Sequence, residues 1–152
     1  MTCPFCEESE LSTQKLFESE TAYVLLSIAV STRGRCLVVP KRHVANIKQL
    51  SEAELADFFK TVKLVSEVLE KSLKPAGFNY GLNEGKRAGQ TIEHFHFHII
   101  PRYEQDKLPE YHLFHRERKE YLTDEELREQ VEEFRKIFKE KDKPGGANNG
   151  ID

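Results

Sequence analysis

The sequence predicts an α+β domain, an antiparallel sheet covered by one long helix and a second, C-terminal helix. Three observations carry that expectation. Five short clusters of β-branched and aromatic residues are bounded by turn formers, one long apolar stripe of helical period lies among them, and Ser, Thr and Gly turns join neighbouring clusters. Parallel pairing needs a crossover of a dozen or more residues between strands. With one long helix available for the purpose, hairpin connections and an antiparallel sheet follow.

The strand clusters fall at 15–18, 23–28, 35–40, 78–83 and 91–102. Between the third and fourth, Ser51 and Glu54 form a capping box, in which each side chain satisfies a backbone N–H of the first helical turn. Leu55, Phe58, Phe59, Val62, Val65, Leu69 and Leu73 then recur at helical spacing, and the stripe stops before Pro75 and Gly77. Thr123 with Glu126 is a second capping box, opening a stripe of Leu127, Val131, Phe134 and Phe138 that runs to about Glu140. The rest of that helix mixes both signs of charge, as a solvated face does. With no internal repeat and no Pro- or Ser-rich linker, one domain is expected over 1–142. Residues 143–152 are expected to be a disordered tail, because their Gly- and Asn-rich composition buries too little apolar surface to order itself.

At 152 residues the chain can build a core without disulfides or metals. Lys and Arg number 23 against 26 Asp and Glu, a net charge of −3, which argues against nucleic acid as a partner because phosphate neutralisation needs a basic excess. The richest apolar run, 23–30, is broken by Ser27 and falls far short of the ~18 residues that span a bilayer, so no membrane is expected. The first residues lack the basic start and apolar core of a secretory signal, and the expected compartment is the reducing cytoplasm. Three cysteines, an odd number, make no disulfide framework.

The strongest chemical signal is the run from Gln90 to Arg102, which carries His94, His96 and His98 at alternate positions. On a strand these three rings share one face at spacings of about 7 Å, while Phe95, Phe97 and Ile99 share the other. Three titratable rings side by side repel when protonated and gain nothing for packing, so a functional reading outweighs a packing one. Two functions fit. Two or three of the imidazoles could hold a metal ion, or one could be a nucleophile with its neighbours managing protons and charge. The preceding loop, Asn83-Glu84-Gly85-Lys86-Arg87-Ala88-Gly89-Gln90-Thr91, brings two glycines, an amide, two cations and a hydroxyl, a set that lets backbone N–H groups approach an anion. Directly before the histidines it reads as a phosphate cradle beside a nucleophile.

Together, His94 to Ile100 preceded by Gly89-Gln90-Thr91 resembles the signature of the histidine triad proteins, nucleotide-binding hydrolases and transferases. Leu37 to His43 is similar to the family's central strand and its exit, Asn83 to Gly85 to its phosphate loop, and the early cysteine pair to many bacterial members. The resemblance implies a histidine-triad-like five-stranded antiparallel sheet with a long helix, paired into a homodimer. It implies that His96 attacks the α-phosphate of a nucleotide, forming a nucleotidyl-histidine from which water releases a mononucleotide such as AMP. His98 and Asn83 would bond the phosphate, Thr91 would lie near the leaving group, and Gly89 and Gln90 would complete the cradle. Two positions depart from the pattern: Ser27 stands where a ribose-gripping acidic or amide residue is usual, and Arg35 where a histidine is usual. A hydroxyl makes one such bond rather than a bidentate grip, and arginine is a permanent cation where a titratable ring would sit. Asn83 resembles the phosphoramidase branch; Pro101-Arg102 resembles the dinucleoside polyphosphate branch and many bacterial members alike, so both branches stay open.

Cys3-Pro4-Phe5-Cys6 alone reads as metal site, redox pair or coincidence. A thioredoxin-like motif follows a strand and opens a helix, which this terminal position does not offer. Zinc needs two further ligands, and His43 and His94 are the candidates; the resemblance implies a structural zinc bound in this way. Cys36, within a strand, reads as a small buried apolar residue. His112 and His115 at i, i+3 lack a third ligand and read as surface or dimer contact. Phe5, Phe17 and Tyr23 read as core. The expected function is hydrolysis of a nucleotide phosphoramidate or dinucleoside polyphosphate. Its rivals are a nucleotide-binding module with little activity and a catalytic metal site built on the three histidines.

Overall fold

Successive side chains on a strand face opposite ways, and the central strands of this chain are apolar on both faces, so the sheet needs cover on two sides. The computed structural model describes residues 2–29, 32–106 and 121–141. In chain order it has helix α1 (Glu8–Gln14), strands β1 (Lys15–Glu18), β2 (Ala22–Leu26) and β3 (Cys36–Pro40), helix α2 (Glu52–Leu73), strands β4 (Gly77–Gly81) and β5 (Phe97–Arg102), and helix α3 (Asp124–Lys141). Short 3-10 turns at Ile47–Gln49 and Lys86–Ala88 precede α2 and β5. The sheet order is β1-β2-β3-β5-β4, and every pairing is antiparallel, as the sequence leads one to expect.

One face carries Val24, Leu26, Cys36, Val38 and Ile99 against Phe58, Val65 and Leu69 of α2 and Val131, Phe134 and Phe138 of α3. Because α3 is buried in the same core as the sheet, it is not an appendage. The other face carries Leu25, Leu37 and Val39 under Phe5 and Leu11. Both capping boxes form: Glu54 N–H donates to Ser51 Oγ (3.1 Å) and Ser51 N–H to Glu54 (2.8 Å), while Glu126 N–H donates to Thr123 Oγ1 (3.2 Å) and Thr123 N–H to Glu126 (2.8 Å). The β2–β3 turn needs Gly34, whose φ is +82° and whose hypothetical Cβ would lie 2.5 Å from Leu73 Cδ1 at the end of α2.

Two expectations require correction. The last strand does not begin at residue 91 but at Phe97. Its pairing with β3 ends at Val38 opposite Phe97, since extending it would bring Pro40, which has no N–H, into the ladder. Instead Phe95 N–H donates to Val44 O (2.6 Å), turning the 91–96 segment away from the sheet. The helix α1 was not expected, because its seven residues contain one apolar side chain, the buried Leu11, and show no period. Tertiary contacts hold it: Arg135 of α3 donates to the carbonyls of Ser12 (2.8 Å) and Lys15 (2.7 Å) at its C-terminal end. The expected tail at 143–152 and His112 and His115 lie outside the described residues.

Candidate functional site

The loop leaving β4 is shaped by its own side chains. Gly85 and Gly89 have φ of +87° and +93°, which other residues adopt only with strain, and a Cβ on Gly89 would sit 3.4 Å from Asn83 Nδ2. Gln90 closes the loop: its Oε1 accepts Gly85 N–H (2.8 Å) and its Nε2 donates to Ala45 O (3.1 Å). Its amide is thereby engaged within the loop. Glu84 anchors the opposite side by accepting Ile47 N–H (3.0 Å) and pairing with Lys48 (3.4 Å). Thr91 is exposed where the chain leaves this loop.

The three histidines then part company. His94, fully buried, donates from Nε2 to Pro40 O (2.8 Å), since a carbonyl can only accept. Its lone pair is therefore on Nδ1, which faces Cys3 Sγ at 3.3 Å and Cys6 Sγ at 3.5 Å. His96 makes the opposite choice, donating from Nδ1 to the backbone carbonyl of His94 (2.7 Å) and keeping its lone pair on Nε2. Burial, the larger cause, and the charge of Arg35 push His96 below the ordinary imidazole range, so it is a neutral base at physiological pH. The His98 ring lies 5.1 Å from that of His96, and Arg35 Nη2 is 3.1 Å from its Nδ1. Burial first, then Arg35 and His96, push His98 down to about 3.

Ser27 and Arg35 line one cavity of about 190 Å³ between the β2–β3 turn and the start of α3, with Thr32 and Leu122 also at its wall. Phe5, buried between the two cysteines, packs its ring against His94 (5.8 Å) and His96 (5.3 Å). It reads from sequence as core, and only the fold reveals that it walls the site. Pro40 is likewise invisible in the sequence, because its contribution is a backbone carbonyl that no motif encodes.

Among the described residues, the side chains that could hold a metal ion are Cys3, Cys6, His43 and His94, whose ligand atoms all lie within 4.8 Å of one another. His43 Nδ1 is 3.3 Å from Cys6 Sγ. A zinc tetrahedron with bonds of about 2.3 Å to sulfur and 2.0–2.1 Å to nitrogen has edges of roughly 3.3–3.8 Å, a range that holds the three Cys–His separations of 3.3, 3.3 and 3.5 Å, while the widest spread of the four atoms, up to 4.8 Å, has to close by about an ångström on an ion. The second shell fits as well, since the His94 bond to Pro40 O holds the ring with Nδ1 toward the thiols. The reading of the three histidines as a joint metal site is corrected. His94 turns to the cysteines, while His96 Nδ1 is engaged with backbone and His98 Nδ1 with Arg35. Cys36 is wholly buried, and desolvation pushes its thiol up to about 12.

The model of the HIT domain family matches residues 8–105. The bis(5′-adenosyl)-triphosphatase of Dictyostelium discoideum is 32% identical over 126 residues, 82% of this chain and 85% of that one. The adenosine 5′-monophosphoramidase of Schizosaccharomyces pombe is 36% identical over 104 residues, 67% of this chain and 75% of the relative. Among solved structures, a zinc-bound histidine triad family protein from Mycobacterium smegmatis superposes with a TM-score of 0.72 at 26% identity, covering 93% of this chain and 96% of that one.

Proposed function

The chain belongs to the HIT domain family, and on that premise we propose that it hydrolyses nucleoside phosphoramidates or dinucleoside polyphosphates through a nucleotidyl-histidine. The observation that carries this reading is the 2.7 Å bond from His96 Nδ1 to the His94 carbonyl, which leaves a lone pair on Nε2 of a neutral, buried ring. Nε2 attacks the α-phosphorus, and the bond to the leaving amine or nucleotide breaks. As positive charge develops on the imidazole, its Nδ1–H stays bonded to the carbonyl, which stabilises that charge without reorganisation. Water then cleaves the P–N bond, releasing a mononucleotide such as AMP and restoring His96. His98 and Asn83 bond the phosphate oxygens, Gly89 allows the backbone to approach them, Thr91 stands by the leaving group, and Gln90 acts by holding the loop. Ser27 and Arg35 face the nucleoside from the cavity that they share.

Cys3, Cys6, His43 and His94 would hold a zinc ion, which when bound cross-links the N-terminal segment to the site without entering the chemistry. Among the described residues β4 is an edge of the sheet, and Tyr80 on it and Phe59 of α2 are each 44% exposed, a surface suited to a second copy of this chain. No helix among the described residues is long and apolar enough to cross a membrane. The three free thiols suit a reducing compartment such as the cytoplasm, with one domain over 1–142.

The test is AMP release from adenosine phosphoramidate and from a diadenosine polyphosphate by the wild type and by His96→Ala. Release by the wild type alone is expected, and the ratio of the two rates selects the substrate branch. Turnover retained by the alanine variant would sink the assignment, and nucleotide bound by the wild type without product would leave a binding module.

A further inference from the structure

Both His96 and His98 are bonded to groups whose hydrogen-bonding sense is fixed, and the two groups have opposite senses. A guanidinium has five N–H donors and no acceptor. With Arg35 Nη2 at 3.1 Å, His98 Nδ1 must be the acceptor and carry the lone pair. The single proton of the neutral ring is then on Nε2. In His96, one ring away, the proton is on Nδ1 and the lone pair on Nε2. From this the structure assigns to Arg35 the part of a positioning residue that holds His98 in its Nε2–H form, making the ring beside the nucleophile a hydrogen-bond donor rather than a second nucleophile.

Three features support the assignment. First, Leu37 is directly opposite His98 in the β3–β5 register, and Arg35, two residues before Leu37, faces the same side of the sheet, so register delivers the guanidinium to this ring. Second, His98 stays neutral, because burial and the Arg35 charge push it down to about 3, and only a neutral ring has a tautomer to choose. Third, a histidine or amide at position 35 could donate or accept and would leave the choice open, whereas a guanidinium only donates. Arg35 thus fixes the chemistry of its neighbour rather than merely adding charge. The tautomer stands independently of the hydrolase reading, but its consequence rests on it: an Nε2–H is what a developing phosphate oxyanion needs, and a lone pair there would repel it.

The experiment is ¹⁵N NMR of the labelled full chain, correlating ring nitrogens with ring carbon-bound protons in the wild type, Arg35→Met and Arg35→Lys, with His98→Asn to assign the signals. A pure Nε2–H ring is expected for wild-type His98, a visible Nδ1–H population in Arg35→Met, and recovery in Arg35→Lys, whose ammonium also only donates. kcat for AMP release should fall in Arg35→Met by up to about 100-fold, the cost of one oxyanion donor, with a smaller change in KM and recovery in Arg35→Lys. A wild-type His98 protonated on Nδ1, or a tautomer unmoved by Arg35→Met, overturns the inference. Should Arg35→Met not fold, the wild-type spectrum and the lysine variant decide it. Absence of turnover in the wild type would instead overturn the hydrolase reading while the spectrum still decides the tautomer.

Discussion

Replacing both Cys3 and Cys6 by Ser tests whether the N-terminal cluster is a metal site. Two of the four ligand atoms are thiols, and serine offers a far poorer donor for zinc, so bound metal should fall from near one per chain to near zero. The stability cost follows from linkage: a ligand present at 100 to 1,000 times its dissociation constant stabilises the native state by about 2.7–4.1 kcal/mol. For a domain of this size each kcal/mol moves the melting temperature by roughly 2–4 °C, so a fall of about 5–16 °C is expected. The loss should also reach the active site, because His94 presents its side chain to the thiols and its carbonyl to His96. Elemental analysis and calorimetry, each with and without a chelator, supply the readouts. If the wild type purified with zinc available carries none, or if the double variant keeps its metal, the assignment is refuted. Lost metal with an unchanged melting temperature would refute the stabilising role.

Three further outcomes follow from particular contacts. His98, ordinarily near 6.5, is pushed down to about 3, so the unfolded chain takes up its proton first as pH falls; stability should be full above about pH 6.5 and decline below it by up to about 1.4 kcal/mol per pH unit. Thermal melts between pH 7 and 5 should show a shallower decline in His98→Asn, and identical slopes would contradict the neutral buried ring. Gly89→Ala places a methyl 3.4 Å from Asn83 Nδ2 at a φ of +93°, and should raise KM for AMP-releasing substrates several-fold while costing roughly 1–2 kcal/mol in denaturant melts. If the proposed pairing through this face holds, Tyr80→Asp together with Phe59→Asp should halve the sedimenting mass from two chains to one without loss of helix content, and a wild type of one-chain mass or an unchanged mass in the variant would remove this face as the interface.

Much of this architecture is legible because the periodic signals are strong and local. The capping boxes at Ser51 and Thr123 form as written, and the stripes from Phe58 to Leu69, apart from the exposed Phe59, and from Leu127 to Phe138 enter the core. The quartet of Cys3, Cys6, His43 and His94 converges as ligand chemistry suggests. What escaped were features that exist only in three dimensions. Helix α1 is held by Leu11 and Arg135 rather than by period or cap, and Phe5 becomes a wall of the site only because the N-terminal segment folds over the sheet face. The role of Gln90 was equally hidden, since no motif says that its amide bridges Gly85 and Ala45.

The overlong strand and the chemistry of the site are one physical fact. Strict alternation of His94, His96 and His98 predicts a continuous strand from residue 91, and a strand would commit the His94 carbonyl and the Phe95 N–H to ladder bonds or to solvent. In the structure the first is taken by the ring of His96 and the second is given to Val44 O. A ring two residues along reaches its neighbour's carbonyl only where the backbone is free of the ladder, and Pro40, lacking an N–H, frees it. The same Pro40 supplies the carbonyl that fixes His94 toward the thiols. Adding an N–H at position 40 is therefore not neutral. Pro40→Val should favour extension of β5 toward residue 95, with the carbonyl of residue 40 taking the Phe95 N–H in competition with the His94 ring. It should lower kcat and metal content together while leaving the helical core intact, as read by turnover, elemental analysis and circular dichroism. Retention of both activity and metal in that variant would show that the break in the strand is incidental to the site.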